Sequence, residues 1–327
     1  MHQASDTQSP VFLPHRARLL VLVASLCAVN VSAQPAGTTA ALPDLIVPAG
    51  KTHRLAAQRW EFGRVEIGEG ATLQVAPGSM DMFHLVVRGP LILKGSIVAE
   101  EFTSEARQVT VNVPGQPPLV LAYKNTNRAG AGGFGGSGGG NGGGPGAAGT
   151  FEVGGGGGGG GGRFQDATGV KNYTGKAAQG ERGGAPGPGM CGMNGGDGAW
   201  RDEHANGGVV YLEVHGDFDG TGGAILTQGK NGKAGNAGGK ASSPNSSYGC
   251  QSGAGGGGGG GPGGHGGYVV GYIKGRVVAY PRTVTTGGRG GEGGASPGPS
   301  NMVGTPGSRG QSGNSGSVFW YPVNTAP

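Results

Sequence analysis

The sequence predicts a mainly β protein: a short β-solenoid-like domain followed by a Gly-rich array of polyproline-II rods and short strands, part of it disordered. Three observations predict this. Of the 327 residues 80 are Gly, and 71 of those follow residue 128. Short β-branched and apolar runs recur along the whole chain, separated by Gly, Pro and Asp. Charged residues make up only 13%, about half the usual share. Gly has no side chain to bury and the most backbone entropy to lose, so helical bundles, dinucleotide-binding sheets and α/β barrels are poor matches.

Residues 1–33 read as a secretory signal. Arg16 and Arg18 close a polar segment, Leu19 to Val31 is apolar, and Val31-Ser32-Ala33 offers a small-residue cleavage site. The 13-residue apolar run is too short to span a bilayer, and no transmembrane segment is expected in the mature chain. The expected location is therefore secreted or cell-surface, with the periplasm as the other exported compartment. Residues 34–50 read as a linker. The net charge is +5, and the basic residues are scattered singly, which leaves no electrostatic footprint for nucleic acid.

Residues 51–128 carry the solenoid-like pattern. Val65–Ile67, Thr72–Val75, His84–Val87, Leu91–Leu93, Ser96–Val98 and Val109–Val113 are short runs with no Asn-Gly or Asp-Gly hairpin signal between them. Corners are thus expected in place of hairpins. Residues 129–327 hold 82 Gly and Pro residues, a composition that by default signals disorder. Against that default stands a repeat: Gly-Gly steps begin at Gly183, Gly238 and Gly293, 55 residues apart, and each segment ends in a strand, at Val209, Tyr268 and Val318. Cys191 and Cys250 each lie 18 residues before such a strand, and in an exported chain they are the expected disulfide.

Collagen is excluded because its triplets would have to run on, and the register from Gly304 to Gly316 lasts only four. Polyproline-II helices have no internal hydrogen bonds, so their amides must pair between neighbours, which only Gly lets approach closely enough. The nine glycines from Gly154 to Gly162 would span about 28 Å as such a helix, similar to a six-residue strand at about 20 Å.

Polyglycine tracts alternating with short apolar strands resemble the glycine-rich domain of anaplastic lymphoma kinase and Gly-rich phage tail-fibre adhesins. The stretches Gly187-Pro188-Gly189 and Gly304-Thr305-Pro306-Gly307 are similar to the triplets of the snow-flea antifreeze protein. The opening from Ile67 through Val75, followed by Gly-Gly tracts, resembles a class of exported bacterial glycine-rich proteins. The resemblance rests on layout across residues 60–327 and carries no diagnostic motif.

Chemistry is sparse. Gly187-Pro188-Gly189-Met190-Cys191-Gly192 fits a dinucleotide pattern, but lacks the strand and helix that would give it meaning. His215, Asp217 and Asp219 alternate and are the one metal candidate, set against the reading of a strand end and turn. Asp202-Glu203-His204 brings acid and base together and reads first as a solvated loop. Trp60 and Trp320, with Trp200 and Tyr321, are candidate sugar-contacting aromatics or fillers of a small core. The expectation is a structural or adhesive exported protein, not an enzyme, without a cofactor, whose partner is itself or a surface polymer such as a polysaccharide or the cell envelope. The alternatives are a carbohydrate-binding or carbohydrate-cleaving β-helix and an ice-binding protein.

Overall fold

Runs of Val, Ile and Leu three to six residues long can bury a face only by stacking on runs like themselves, and the chain arranges them in that way. The computed structural model describes residues 41–124, 127–137, 143–166, 168–186, 192–241 and 249–323, and among them strands occur and no helix. The chain first lays down β1 (Leu45–Val47), β2 (Thr52–Ala56) and β3 (Arg59–Phe62), then β4 (Val65–Ile67), β5 (Thr72–Ala76) and β6 (Met82–Val87). It continues with β7 (Leu91–Leu93) and β8 (Ser96–Val98), then makes an excursion containing β9 (Arg107–Val111), β10 (Leu119–Tyr123), β11 (Gly162–Asp166) and β12 (Gly169–Tyr173). It returns as β13 (Val209–Val214), β14 (Phe218–Asp219) and β15 (Ala224–Leu226), and leaves again through β16 (Gly249–Ser252). The last strands are β17 (Tyr268–Ile273), β18 (Val277–Ala279), β19 (Arg282–Val284) and β20 (Val318–Pro322).

Fifteen of these strands form three five-stranded parallel sheets, ordered β1-β4-β7-β14-β18, β2-β5-β8-β15-β19 and β3-β6-β13-β17-β20, and the other five form the antiparallel sheets β9-β10 and β12-β11-β16. Each parallel sheet grows in chain order, so the chain visits the three sheets in turn five times. Alternation points Leu45, Val47, Val65, Ile67, Leu91 and Leu93 inward from the first sheet, where they meet Leu73, Val75 and Ile97 of the second and Leu85 and Leu212 of the third. Burying each such aliphatic side chain stabilises the fold by about 1.5–3 kcal/mol. The expected linker over 34–50 is corrected here, because Leu45 and Val47 are buried and open the first sheet.

All three long excursions leave after the second sheet and return to the third. They cover residues 99–208, 227–267 and 285–317. A boundary at residue 128 is therefore not a boundary between bodies: β6 pairs with β13 across it, Leu85 opposite Leu212. The returning strands are offset by 59 residues between β13 and β17 and by 49 between β17 and β20, in place of the uniform 55 of the Gly-Gly steps. No two of the runs between Val65 and Val113 pair as a hairpin, but the last of them begins one. β9 and β10 form one, turned by Pro114-Gly115 with Gly115 at φ +73°, and they cover the outer face of the third sheet with Val109, Val111, Leu121 and Tyr123.

The Gly-rich excursions run as extended segments whose hydrogen bonds have a period of three. Successive N–H groups of Gly255, Gly256 and Gly257 donate to Gly239, Gly158 and Thr305, and those of Gly258, Gly259 and Gly260 return to the same three segments at Asn236, Gly155 and Ser308. Carbonyls of the same stretch accept from Gly133, Gly196 and Gly294 of three further segments. Residues 154–161 are surrounded in the same fashion, donating to segments 193–199, 130–136 and 176–180. A Cβ at Gly157 would stand 2.0 Å from the Gly256 carbonyl oxygen, and one at Gly258 would stand 2.0 Å from that of Asp197. None of residues 154–161 or 255–261 has a positive φ. Gly is required there by contact, not by backbone conformation.

Position in the array dictates the triplet. Segments enclosed on all sides read Gly-Gly-Gly. Residues 287–295 read Gly-Gly-x, exposing Arg289, Glu292 and Ala295. Outermost residues 304–316 read Gly-x-x, and Thr305, Pro306, Ser308 and Arg309 are exposed. Ala replacing Gly157 or Gly258 should destabilise the protein by about 3 kcal/mol or more, since a methyl is forced into a closed contact, whereas Ala295→Ser should leave the thermal midpoint unchanged; a scanning calorimeter distinguishes the two.

Candidate binding cleft

The register of the third sheet assembles a polar ladder on its outer face. His84 lies opposite Tyr211 and Val86 opposite Glu213, and the His84 ring stacks on Tyr211 at 4.4 Å. Glu213 is held between two imidazoles, Oε2 at 3.2 Å from His84 Nε2 and Oε1 at 2.8 Å from His215 Nε2. Burial raises the Glu213 carboxyl, but the hydrogen bonds to His215 and His84 outweigh it and leave it below its ordinary value. Burial likewise holds His84 below the ordinary imidazole value, with Glu213 pulling the other way.

This ladder divides the predicted metal candidates. His215 turns to Glu213 and to Arg88, whose Nη1 is 3.1 Å away. Asp217 accepts the Arg276 backbone N–H at 3.0 Å, and Asp219 accepts that of Thr221 at 3.0 Å. The chain rounds a corner at His215-Gly216, just past the end of β13 in the third sheet, while Asp219 belongs to the first, and alternation no longer places them on one face. Among the described residues no group of three His, Cys, Asp or Glu side chains is arranged to hold a metal ion.

Trp60 and Trp320 stand at opposite ends of one inward column, Trp60-Leu85-Leu212-Gly271-Trp320. Trp60 donates its indole N–H to the Ala56 carbonyl at 3.0 Å. Trp320 lies so close over Gly271 that a Cβ there would meet its ring at 2.1 Å, and Tyr280 and Phe218 flank it at 4.9 and 5.8 Å. Both rings close the core. Cys250 lies in β16, opposite Phe164 of β11, whereas Cys191 lies outside the described residues.

A cleft of about 750 Å³ lies elsewhere, lined by Trp200, Arg201, Asp202, Glu203 and His204 together with Glu105, Glu152 and Lys233. The walls are fixed from behind by the Gly-rich segments. Ala199 donates to Gly259 at 3.0 Å and Arg201 to Glu152 at 2.6 Å through their backbone N–H groups. The Arg201 side chain, 9% exposed, donates from Nε to the Phe151 carbonyl at 2.9 Å and from Nη2 to Asn127 Oδ1 at 2.8 Å. Its Nη1 is buried without a partner. The His204 backbone N–H, 3.0 Å from Oδ1, holds the Asp202 carboxyl below its usual range, and Lys230 and Lys233 add to this. Trp200 is 54% exposed at the rim. The Asp202-Glu203-His204 cluster, read from sequence as a solvated loop, thus lines a built concavity; Glu105 and Glu152, 98 and 51 residues before Glu203, carry no local signal that could have joined them to it.

No protein-family model matches the chain, and neither a curated protein nor a solved structure matches it. No helix among the described residues is long and apolar enough to cross a membrane.

Where the rods run into the third sheet, His265 is 4% exposed, accepts the Asn314 backbone N–H on Nδ1 at 3.0 Å and donates its own backbone N–H to Asn206 at 2.8 Å. Burial lowers its pKa from 6.5, Arg201 adds to this, and the Lys124 backbone opposes it. Tyr123 and Tyr268, which line this pocket together with Lys124, stay protonated near neutrality. The folded state therefore favours the neutral ring, while the unfolded chain takes up a proton first as pH falls. Stability should be complete above about pH 7 and decline as pH drops below the 6.5 of the unfolded imidazole. Thermal melts between pH 7.5 and 5.5 should show this decline, and His265→Gln should flatten it, with His84 contributing the remainder.

Proposed function

We propose that this is an exported structural or adhesive surface protein without catalytic activity, in which a three-faced β-solenoid carries a bundle of polyproline-II rods. The observation that carries the reading is the period-three hydrogen bonding around residues 154–161 and 255–261. A helix with three residues per turn directs successive amides about 120° apart, and the six-neighbour environment follows from it. Such an array is stiff and free of side chains inside, and it displays side chains outside at a spacing of about 9 Å, three residues at 3.1 Å each. This suits repeated contact with another copy or with a polymer at a surface. The apolar segment ahead of Val31-Ser32-Ala33 supports export, and a Cys191–Cys250 bond would suit the oxidising compartment.

A second reading, a carbohydrate-binding protein, is favoured by one observation, the Trp200 cleft with its interleaved carboxylates and cations. Both readings predict mature protein outside the cytoplasm beginning at Gln34. Expression of the full chain in an exporting bacterium, followed by N-terminal sequencing, cell fractionation, light scattering and sedimentation with insoluble polysaccharides and cell-envelope fragments, tests the proposal. Export with either self-association or retention on a polymer is expected; cytoplasmic retention, or a soluble monomer that adheres to nothing, overturns it.

A further inference from the structure

We infer that the cleft around Trp200 is the seat of an uncharged polysaccharide chain. The inference rests on the adhesive reading and gives it a place and a ligand class. Trp60 and Trp320 close the core, yet Trp200 presents 54% of its surface to solvent at the rim of a cleft of about 750 Å³. An exposed indole leaves apolar surface in water, and the C–H face of a pyranose ring covers such a surface without needing hydrogen bonds from it. The surrounding groups are those that sugar hydroxyls satisfy: carboxylates of Glu105, Glu152 and Glu203 to accept, and Arg201 and Lys233 to donate. Arg201 adds a distinct sign of an absent ligand, because three-way anchoring leaves Nη1 buried with no partner. A buried donor without a protein acceptor is costly, and since Arg201 is a lining residue of the cleft, its guanidinium is the donor assigned to a sugar hydroxyl.

Charge selects among glycans. Lys230 lies 3.1 Å from Glu101 and Lys233 3.9 Å from Asp202, which leaves Glu105, Glu152 and Glu203 against the single guanidinium of Arg201. An anionic chain would be repelled, and an uncharged one is not. Length follows from the rod beneath. Asn194, Asp197 and Trp200 are its successive exposed residues, so the cleft opens onto a straight column along which a polymer can continue. The volume of about 750 Å³ is that of a site for a few ring units.

The experiment uses the full mature chain, three soluble uncharged probes, cellohexaose, mannohexaose and N-acetylchitohexaose, and a hexagalacturonate as the anionic comparison, with indole fluorescence and calorimetry as readouts. At least one uncharged probe should bind and shift the fluorescence. Trp200→Ala should weaken that binding about tenfold or more, and Trp200→Tyr should restore most of it. Neither variant should lower the melting temperature, because the ring is exposed. Failure of all three probes, undiminished binding by Trp200→Ala, or tighter binding of an oligouronate overturns the inference. If Trp200→Ala still sediments with insoluble polysaccharide, the cleft is excluded while the adhesive reading stands; if the unmodified chain neither sediments nor self-associates, both fall.

Discussion

The whole molecule depends on one requirement, that the backbone amides of a side-chain-poor chain must find partners in neighbouring backbones. A segment such as residues 255–261 offers no apolar surface and makes no internal hydrogen bonds. Its N–H groups reach Gly239, Gly158, Thr305, Asn236, Gly155, Ser308 and Lys233 at 2.7–3.2 Å. Closing those bonds brings carbonyl oxygens to about where a Cβ would be. Hydrogen bonding and glycine content are thus one constraint seen twice: an amide left unpaired in the interior costs about 1–3 kcal/mol, and any side chain there would leave several unpaired.

The array does not set its own alignment. Segments 257–266 and 305–314 run side by side with an offset of 48, Gly257 to Thr305 and Gly266 to Asn314, and pass into β17 and β20, where Val269 meets Val318 at an offset of 49. Segments 196–199 and 256–259 are offset by 60 and lead into β13 and β17 at 59. Apolar side chains fix the sheet register strongly, since a one-residue slip would turn Leu212 or Val269 out of the core. Glycines have no such preference. The apolar stack therefore holds the Gly-rich segments in register, and these in turn hold Trp200 and Arg201 at the cleft.

Much of this was legible in the chain, unevenly. Val65–Ile67, Leu91–Leu93 and Ser96–Val98 were readable because alternation survives in three residues, and the structure places them at those bounds. Leu45–Val47 was read as linker because a three-residue strand between Pro43 and Pro48 differs little from a loop until a neighbour pairs with it. The β9–β10 turn escaped because it uses Pro-Gly-Gln in place of Asn-Gly. His215, Asp217 and Asp219 suggested one face because strand alternation was extended through Gly216, where the chain leaves one sheet for another. The cleft was only half visible, as Asp202-Glu203-His204, because its other residues come from two separate excursions.

What the sequence determined by itself is the inventory: which stretches can be enclosed, since only unbroken Gly tracts tolerate neighbours on every side, and which runs can stack, since only alternating β-branched residues have a face to bury. The tertiary structure decided adjacency. The chain enters and leaves the Gly-rich excursions at one corner of the three sheets, so residues far apart in sequence come together: Gly155 and Gly259 are hydrogen-bonded, and Glu105 and Lys233 line one cleft. Glycine cannot encode that choice, because a residue without a side chain makes the same backbone hydrogen bonds with any partner; the choice falls to the apolar strands at the ends of each rod.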